Sequence, residues 1–146
     1  MDIIIRLCNK EDFISIFGLL CQLWPDMDLN YEKLQEVYNQ AIVSDKQKLI
    51  VGIVKVNIVG FCSLTIKNSL WQAGNLGYID ELVIDKSFRG QGIGKKLIYK
   101  ITEIAKENRC KRIELDTAFH RKDAHRFYEK SGYIKRAYKF SKIIDN

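Results

Sequence analysis

Three kinds of residue in this sequence have the types and spacing to do chemistry, and the first is a glycine loop. Arg89-Gly90-Gln91-Gly92-Ile93-Gly94 places glycine at alternate positions directly after an apolar run and directly before a helical pattern. Without a Cβ, glycine adopts positive φ and lets an anion approach the backbone. The helix start behind it offers N–H groups that have no internal partner. Pyrophosphate is the expected guest. Two better-known phosphate loops are excluded letter by letter. A P-loop needs glycine where Arg89 stands and Ser or Thr where Lys96 stands, and the dinucleotide fingerprint needs glycine where Lys95 stands. The second kind is the adjacent pair Asp80 and Glu81, carboxylates able to act as general bases. Neighbours on a flat strand point to opposite faces, so only one should serve a given site unless the strand is bulged. The third is Tyr128, whose hydroxyl can give up a proton or simply sit in a core. Cys8, Cys21, Cys62 and Cys110 show no metal-ligand spacing, so no metal is expected and four buried free thiols are the plainer reading.

These groups need elements to hold them. Ile3 to Leu7 reads as a strand, and Asn9 as the N-cap of a first turn containing Glu11 and Asp12. Phe13, Ile16, Phe17, Leu20 and Leu23 then recur at helical spacing, up to a break at Trp24-Pro25. Tyr31 to Val43 predicts a second helix with Leu34, Val37, Tyr38 and Ala41 inward. Leu49 to Val56 and Ile58 to Ile66 predict a hairpin, Trp71 to Asn75 a turn, and Leu76 to Ile84 a strand that feeds the glycine loop. Ile93, Leu97, Ile98, Ile101, Ile104 and Ala105 mark the buried face of the helix after it, with Lys95, Lys96, Lys100 and Lys106 outward. Arg112 to Thr117 is the next strand, and strand, glycine loop, helix, strand makes a crossover unit. Asp123 is expected to cap a last helix that runs to Lys130 and ends at Gly132, with Tyr133-Ile134 and Ala137 to Ile144 completing the sheet. The predicted class is α/β, one domain over residues 1–146, with a central, mostly antiparallel sheet and about four helices.

Composition agrees with a folded enzyme-sized domain. The 146 residues carry 47% hydrophobic and 29% charged side chains, which supports a buried core and argues against disorder. No apolar run approaches the roughly 18 residues that span a bilayer, and Met1 to Arg6 lacks the basic start of a signal peptide, so a cytoplasmic location is expected. The net charge of +6 is unevenly spread: residues before Arg89 sum to −3, and those from Arg89 onward sum to +9. The basic half begins at the glycine loop, which suits an anionic partner. A polyanion-binding module is the competing class. No aromatic and basic residues alternate on a strand face, so no nucleic-acid partner is expected.

Arg89-x-x-Gly92-x-Gly94 at a strand-to-helix junction resembles the acetyl-CoA signature of the GNAT superfamily of N-acetyltransferases. Tyr78 to Asp85 is similar to the strand that precedes it in that family. Downstream, Asp123-Ala124-His125-Arg126-Phe127-Tyr128-Glu129-Lys130-Ser131-Gly132-Tyr133 resembles the family's Ala-x-x-x-Tyr-x-x-x-Gly-aromatic block. The resemblance covers about residues 3 to 144. It implies direct transfer of an acetyl group from acetyl-CoA, as cosubstrate, to a primary amine, with an acidic residue, Glu81 in preference to Asp80, taking the amine proton directly or through water. It further implies that the Leu82 N–H polarises the thioester carbonyl, that Val83 and Ile84 hold the pantetheine arm, and that Tyr128 protonates the departing thiolate. Arg89, Gly90, Gln91, Gly92, Ile93, Gly94 and Lys95 would hold the cofactor. The family frequently has Asn where this chain has Arg121, and a guanidinium there could pair with phosphate instead. A covalent cysteine route is not expected, because no cysteine falls in either block.

The acceptor is less legible. In the family the loop between the first two helices closes over it, which makes Trp24, Asp26, Asp28 and Tyr31 candidates, with His125 a further one. Within the superfamily, Glu81-Leu82-Val83-Ile84, the run from Arg121 to Tyr128 and the tail from Tyr138 to Lys142 most resemble bacterial aminoalkylphosphonate N-acetyltransferases, with aminoglycoside 6'-N-acetyltransferases a second similar group. The first would need basic groups such as Arg126, His125 and Lys135, and the second would suit the two aspartates. A small-molecule amine is the expected partner, a protein or peptide amine the alternative, and family members are often homodimers.

Overall fold

A computed structural model describes residues 1–145. Its chain divides into two compact units, Met1–Glu114 and Leu115–Asn146. The first unit is built on a five-stranded sheet in the order β1 (Ile4–Leu7), β2 (Gln47–Val54), β3 (Asn57–Ser69), β4 (Gly74–Ile84) and β5 (Cys110–Glu114). All neighbours pair antiparallel except β4 and β5, which are parallel because a helix, α3 (Ile93–Glu107), crosses between them.

Helices cover both faces of the sheet. α1 (Phe13–Leu23) and α2 (Tyr31–Val43) pack on one face, where Phe13, Ile16, Leu19, Leu20, Tyr38 and Ala41 meet Leu49, Val51, Phe61 and Val83 in one buried cluster. These strand residues alternate with those that face α3, as the strand period requires. Gly52 and Gly60 lie on the α3 side. A Cβ at Gly60 would stand 2.9 Å from a methyl of Leu97, so two glycines let α3 press its Ile93 and Leu97 against the sheet.

The chain enters α1 through a capping box. The Asn9 side chain accepts from Glu11 N–H while Asp12 accepts from Asn9 N–H at 2.8 Å, and Asp12 also takes both Arg6 guanidinium nitrogens at 2.7 and 2.9 Å. Asp12 is only 6% exposed, so this pairing satisfies a carboxylate that burial would otherwise penalise. Arg6 accordingly holds the Asp12 carboxyl below the usual range.

Several expectations are corrected. The hairpin turns at Lys55-Val56, with Lys55 at φ 58°, so β2 ends two residues earlier than predicted. Val37 faces solvent at 66% exposure rather than the core, because Tyr38 and Ala41 take the inward positions of α2. Of the four cysteines, all free, only Cys62 is buried and Cys21 is exposed, since Cys21 falls on the outer side of α1. β5 covers 110–114 rather than 112–117.

The second unit contains α4 (Lys122–Lys130). Its N-cap is Arg121, and Asp123 lies within the first turn, ion-paired to Arg126 one turn on, so the predicted cap is displaced by two residues. Its end matches expectation in full. Gly132 sits at φ 92° and donates to the Glu129 carbonyl, while Tyr133 N–H donates to the Tyr128 carbonyl, the paired bonds of a Schellman motif. Residues 133–134 and 137–144 are not strands. Apart from the half-buried Tyr133, their apolar side chains, Tyr138 and Phe140 among them, are exposed, and among the described residues no ladder partner fixes them in extended form.

Candidate active site

β4 is where the chemistry-bearing residues of the first unit collect. Its pairing with β3 shifts by one residue. Ser63 lies opposite Glu81 and Leu64 opposite Ile79, which leaves Asp80 as the extra residue of a β-bulge. The bulge cancels the alternation that would have separated Asp80 from Glu81. Ser63 and Thr65, two apart on β3, share a face, and each donates its hydroxyl to one of the carboxylates. Ser63 Oγ reaches Glu81 Oε1 at 2.5 Å, and Thr65 Oγ1 reaches Asp80 Oδ2 at 2.5 Å. Both acids are therefore gathered on the side of the sheet that α1 and α2 cover, and the expectation that only one would be available is corrected.

Their environments differ. Asp80 is exposed, whereas Glu81 is half-buried. Burial pushes the Glu81 carboxyl above the usual glutamate range, the Ser63 hydrogen bond opposes that rise, and the neighbouring Asp80 charge adds to it. A carboxylate so raised is a stronger base than an ordinary glutamate. Ser63 and Thr65 escaped the sequence reading. The signal for them is two hydroxyl residues at strand period inside the apolar run Gly60 to Ile66.

Beyond the acids, Leu82 and Ile84 turn to the α3 side and Val83 to the α1 and α2 side, where it belongs to the buried cluster. A one-turn helix (Lys86–Phe88) capped by Asp85 then leads into the glycine loop. The Gln22 amide, in the last turn of α1, donates to Asp85 Oδ2 at 3.1 Å and accepts from Lys86 N–H at 2.9 Å, so α1 is tied to the entry of the loop. Arg89 is exposed and bonds the Ile84 carbonyl through Nε at 3.0 Å.

The loop has the shape that a phosphate requires. Gly90 and Gly92 stand at φ 76° and 83°, and a Cβ on either would meet nothing within 4 Å, so open space faces both. Gly92 is the N-cap of α3, and no side chain caps that end. Its first-turn N–H groups are the donors that an anion would satisfy. Ile93 is buried beneath them, Gly94 follows in the first turn, and Lys95 and Lys96 are exposed beside it. These residues fit the pyrophosphate of acetyl-CoA.

The remaining candidates are placed as follows. Trp24 and Tyr31 are partly buried against the α1 and α2 cluster, and Tyr31 packs edge-on to Phe13 and Phe17 at 5.0 Å each. Asp26 and Asp28 are exposed in the loop between those helices. In the second unit, Tyr128 is half-buried on α4, edge-on to Phe127 at 5.4 Å and Tyr133 at 5.7 Å. His125 Nε2 lies 2.9 Å from the Ala118 carbonyl, a bond that steadies the approach to α4. Arg121 is half-buried at its start.

Comparison with known proteins agrees with this geometry. The acetyltransferase (GNAT) family matches residues 13–133, across both units. The chain is 30% identical over 140 residues to the aminoalkylphosphonate N-acetyltransferase of Salmonella typhimurium, spanning 96% of this chain and 90% of that protein. It is 33% identical over 141 residues to the glucosamine 6-phosphate N-acetyltransferase of Arabidopsis thaliana, spanning 94% and 91%. The solved structure of AAC(6')-Iy with a bisubstrate analogue, CoA-S-monomethyl-acetylneamine, superposes with a TM-score of 0.84 over 98% of this chain and 99% of that one, at 18% identity, a likeness of fold. The carboxylate-bearing bulge, the uncapped glycine loop and these relatives converge, and the chain belongs to the GNAT family as an acetyl-CoA-dependent N-acetyltransferase.

Proposed function

We propose that this protein, acting as one catalytic domain, acetylates the primary amine of a small molecule that also carries a phosphonate or phosphate group. The observation that carries the chemistry is the bulge at Asp80, which brings Glu81 and Asp80 together on the strand that runs into the glycine loop. What narrows the acceptor is that the two sequence relatives are named for an aminoalkylphosphonate and for glucosamine 6-phosphate, both amines bearing such an anion. The aminoglycoside likeness is one of fold.

Acetyl-CoA supplies the activated acetyl thioester. The amine arrives protonated near neutral pH and must lose a proton before it can attack. Glu81 takes that proton, since burial raises its basicity toward the working pH. Asp80, more exposed, adds negative charge that draws in the ammonium group. The Leu82 N–H donates to the oxygen on which charge develops, a kind of stabilisation worth about 3 kcal/mol where one donor has been removed in another enzyme. The backbones of Val83 and Ile84 flank the pantetheine arm, the loop from Arg89 to Lys95 holds the pyrophosphate, and Arg121 adds a basic contact. Tyr128 delivers the proton to the departing sulfur. Trp24, Asp26, Asp28, Tyr31 and His125 are the residues proposed to shape the acceptor's surroundings.

A thiol-release assay with 2-aminoethylphosphonate and glucosamine 6-phosphate, against propylamine, glucosamine, an aminoglycoside and a panel of peptides, tests this reading. The phospho-bearing amines should turn over at least tenfold faster than their counterparts without the anion. Equal rates would remove the anion from the acceptor's definition, preference for the aminoglycoside would replace it with a polycation, and turnover of peptides alone would replace the small molecule.

A further inference from the structure

We propose that Ser63 is a positioning residue for the acetyl transfer: its hydroxyl clamps Glu81 from two sides, so that one carboxylate oxygen is held and the other is presented to the acceptor amine. The proposal rests on the reading of Glu81 as the base.

The geometry is unusual for a strand residue. Ser63 Oγ donates to Glu81 Oε1 at 2.5 Å and at the same time accepts from the Glu81 backbone N–H at 3.0 Å. One hydroxyl thus fixes both ends of the same residue, closing a ring through the glutamate side chain. That ring restricts the rotamers of a side chain that would otherwise be among the most mobile. It also gives the Glu81 N–H a side-chain acceptor next to the bulge. Ser63 is only 5% exposed and stands between Phe61, Cys62 and Leu64, all buried, so a hydroxyl there is costly unless it is bonded. Alanine or valine would pack in the same place at lower cost. The serine is accounted for by what it holds.

Few other groups compete for Glu81. Asp80 lies beside it with Thr65 on its Oδ2, and the Cys62 thiol on β3 is fully buried and pushed far up by that burial. α1, which packs against β3 and β4, has no charged side chain from Phe13 to Leu23 and only Cys21 as a titratable group. On β5, Arg112 pairs with Glu114 at 3.7 Å. Among the described residues, Ser63 is the hydrogen-bond donor to the Glu81 carboxyl. Because this bond favours the ionised form, its removal raises the proton affinity of Glu81.

The test compares Ser63→Ala, Ser63→Thr and Ser63→Val, the last two near-isosteric and differing in the hydroxyl. For S63A and S63V, the acid limb of kcat/KM should move to higher pH, because the bond that favours the ionised carboxylate is gone. The carboxyl carbon of Glu81, followed by NMR in protein labelled at glutamate, should titrate upward by the same amount. S63T should restore both, and the KM for acetyl-CoA should not change. A wild-type carbon titration in S63A and S63V overturns the clamp. If the titration moves while the pH profile of Glu81→Gln matches wild type, the clamp stands and Glu81 is not the base.

Discussion

Two glycines in this chain share a positive φ at a helix end, one proposed to face an anion and the other not, which makes a paired experiment. Gly92, in the loop proposed to hold the pyrophosphate, has φ 83°, and Gly132, which ends α4, has φ 92°. A Cβ added at either would meet nothing within 4 Å. Gly92→Ala and Gly132→Ala therefore carry comparable backbone penalties, about 1 to 2 kcal/mol for an L-residue at positive φ, with no steric clash added. For a chain of this size that lowers Tm by about 3 to 6 °C in each variant. The variants should separate when coenzyme A is titrated calorimetrically. At Gly92 the new methyl group occupies the open space through which an anion reaches the N–H groups of α3. Losing one charge-assisted bond worth about 1.5 to 3 kcal/mol weakens affinity about ten- to hundredfold. Gly132→Ala should bind coenzyme A as wild type does. The phosphate assignment is refuted if Gly92→Ala loses the same Tm yet keeps wild-type affinity.

Other perturbations test the remaining groups. Glu81→Gln should abolish the rise of kcat/KM between neutral and alkaline pH and lower the rate at pH 7 by about a hundredfold, within the usual range for general bases. An unchanged profile assigns the proton to Asp80 or to water. Tyr128→Phe should reduce kcat while leaving coenzyme A affinity intact, and equal loss of both in calorimetry and turnover would show a packing role instead. Asp12→Asn should cost about 1 to 2 kcal/mol at pH 7 in urea melts, with the half-exposed Arg6 discounted for solvent screening. The Asp12 carboxyl is held low in the folded state. Its contribution is therefore full above the ordinary aspartate range and fades as pH falls through its lowered value, so the wild type and variant curves should converge in acid.

How much of this was legible in the sequence depends on the range of each interaction. The faces of α1 and α3, the capping at Asn9 and the stop at Gly132 are set by neighbours within a turn, and they stand as predicted. The glycine loop was equally plain, because positive φ at Gly90 and Gly92 is written in the residue type. The bulge at Asp80 was not. A bulge is a property of register between two strands, and nothing in Ile79-Asp80-Glu81 alone says that Ser63 and Leu64 skip a residue opposite them. The same limit hid the hydroxyl clamps on Glu81 and Asp80, eighteen and fifteen positions from their partners. The apolar alternation after Ala137 misled in the other direction, since a strand pattern becomes a strand only where a neighbour accepts its hydrogen bonds.

The Gln22 amide has a consequence for how the two substrates communicate. One side chain in the last turn of α1 grips both Asp85 and the Lys86 backbone, just ahead of the glycine loop, and the proposed acceptor loop begins two residues later at Trp24. A ligand that orders the glycine loop is therefore expected to lower the cost of ordering the end of α1, beside which the acceptor is proposed to seat. Thermodynamic reciprocity makes the favour mutual, so each substrate should tighten the binding of the other by the same factor.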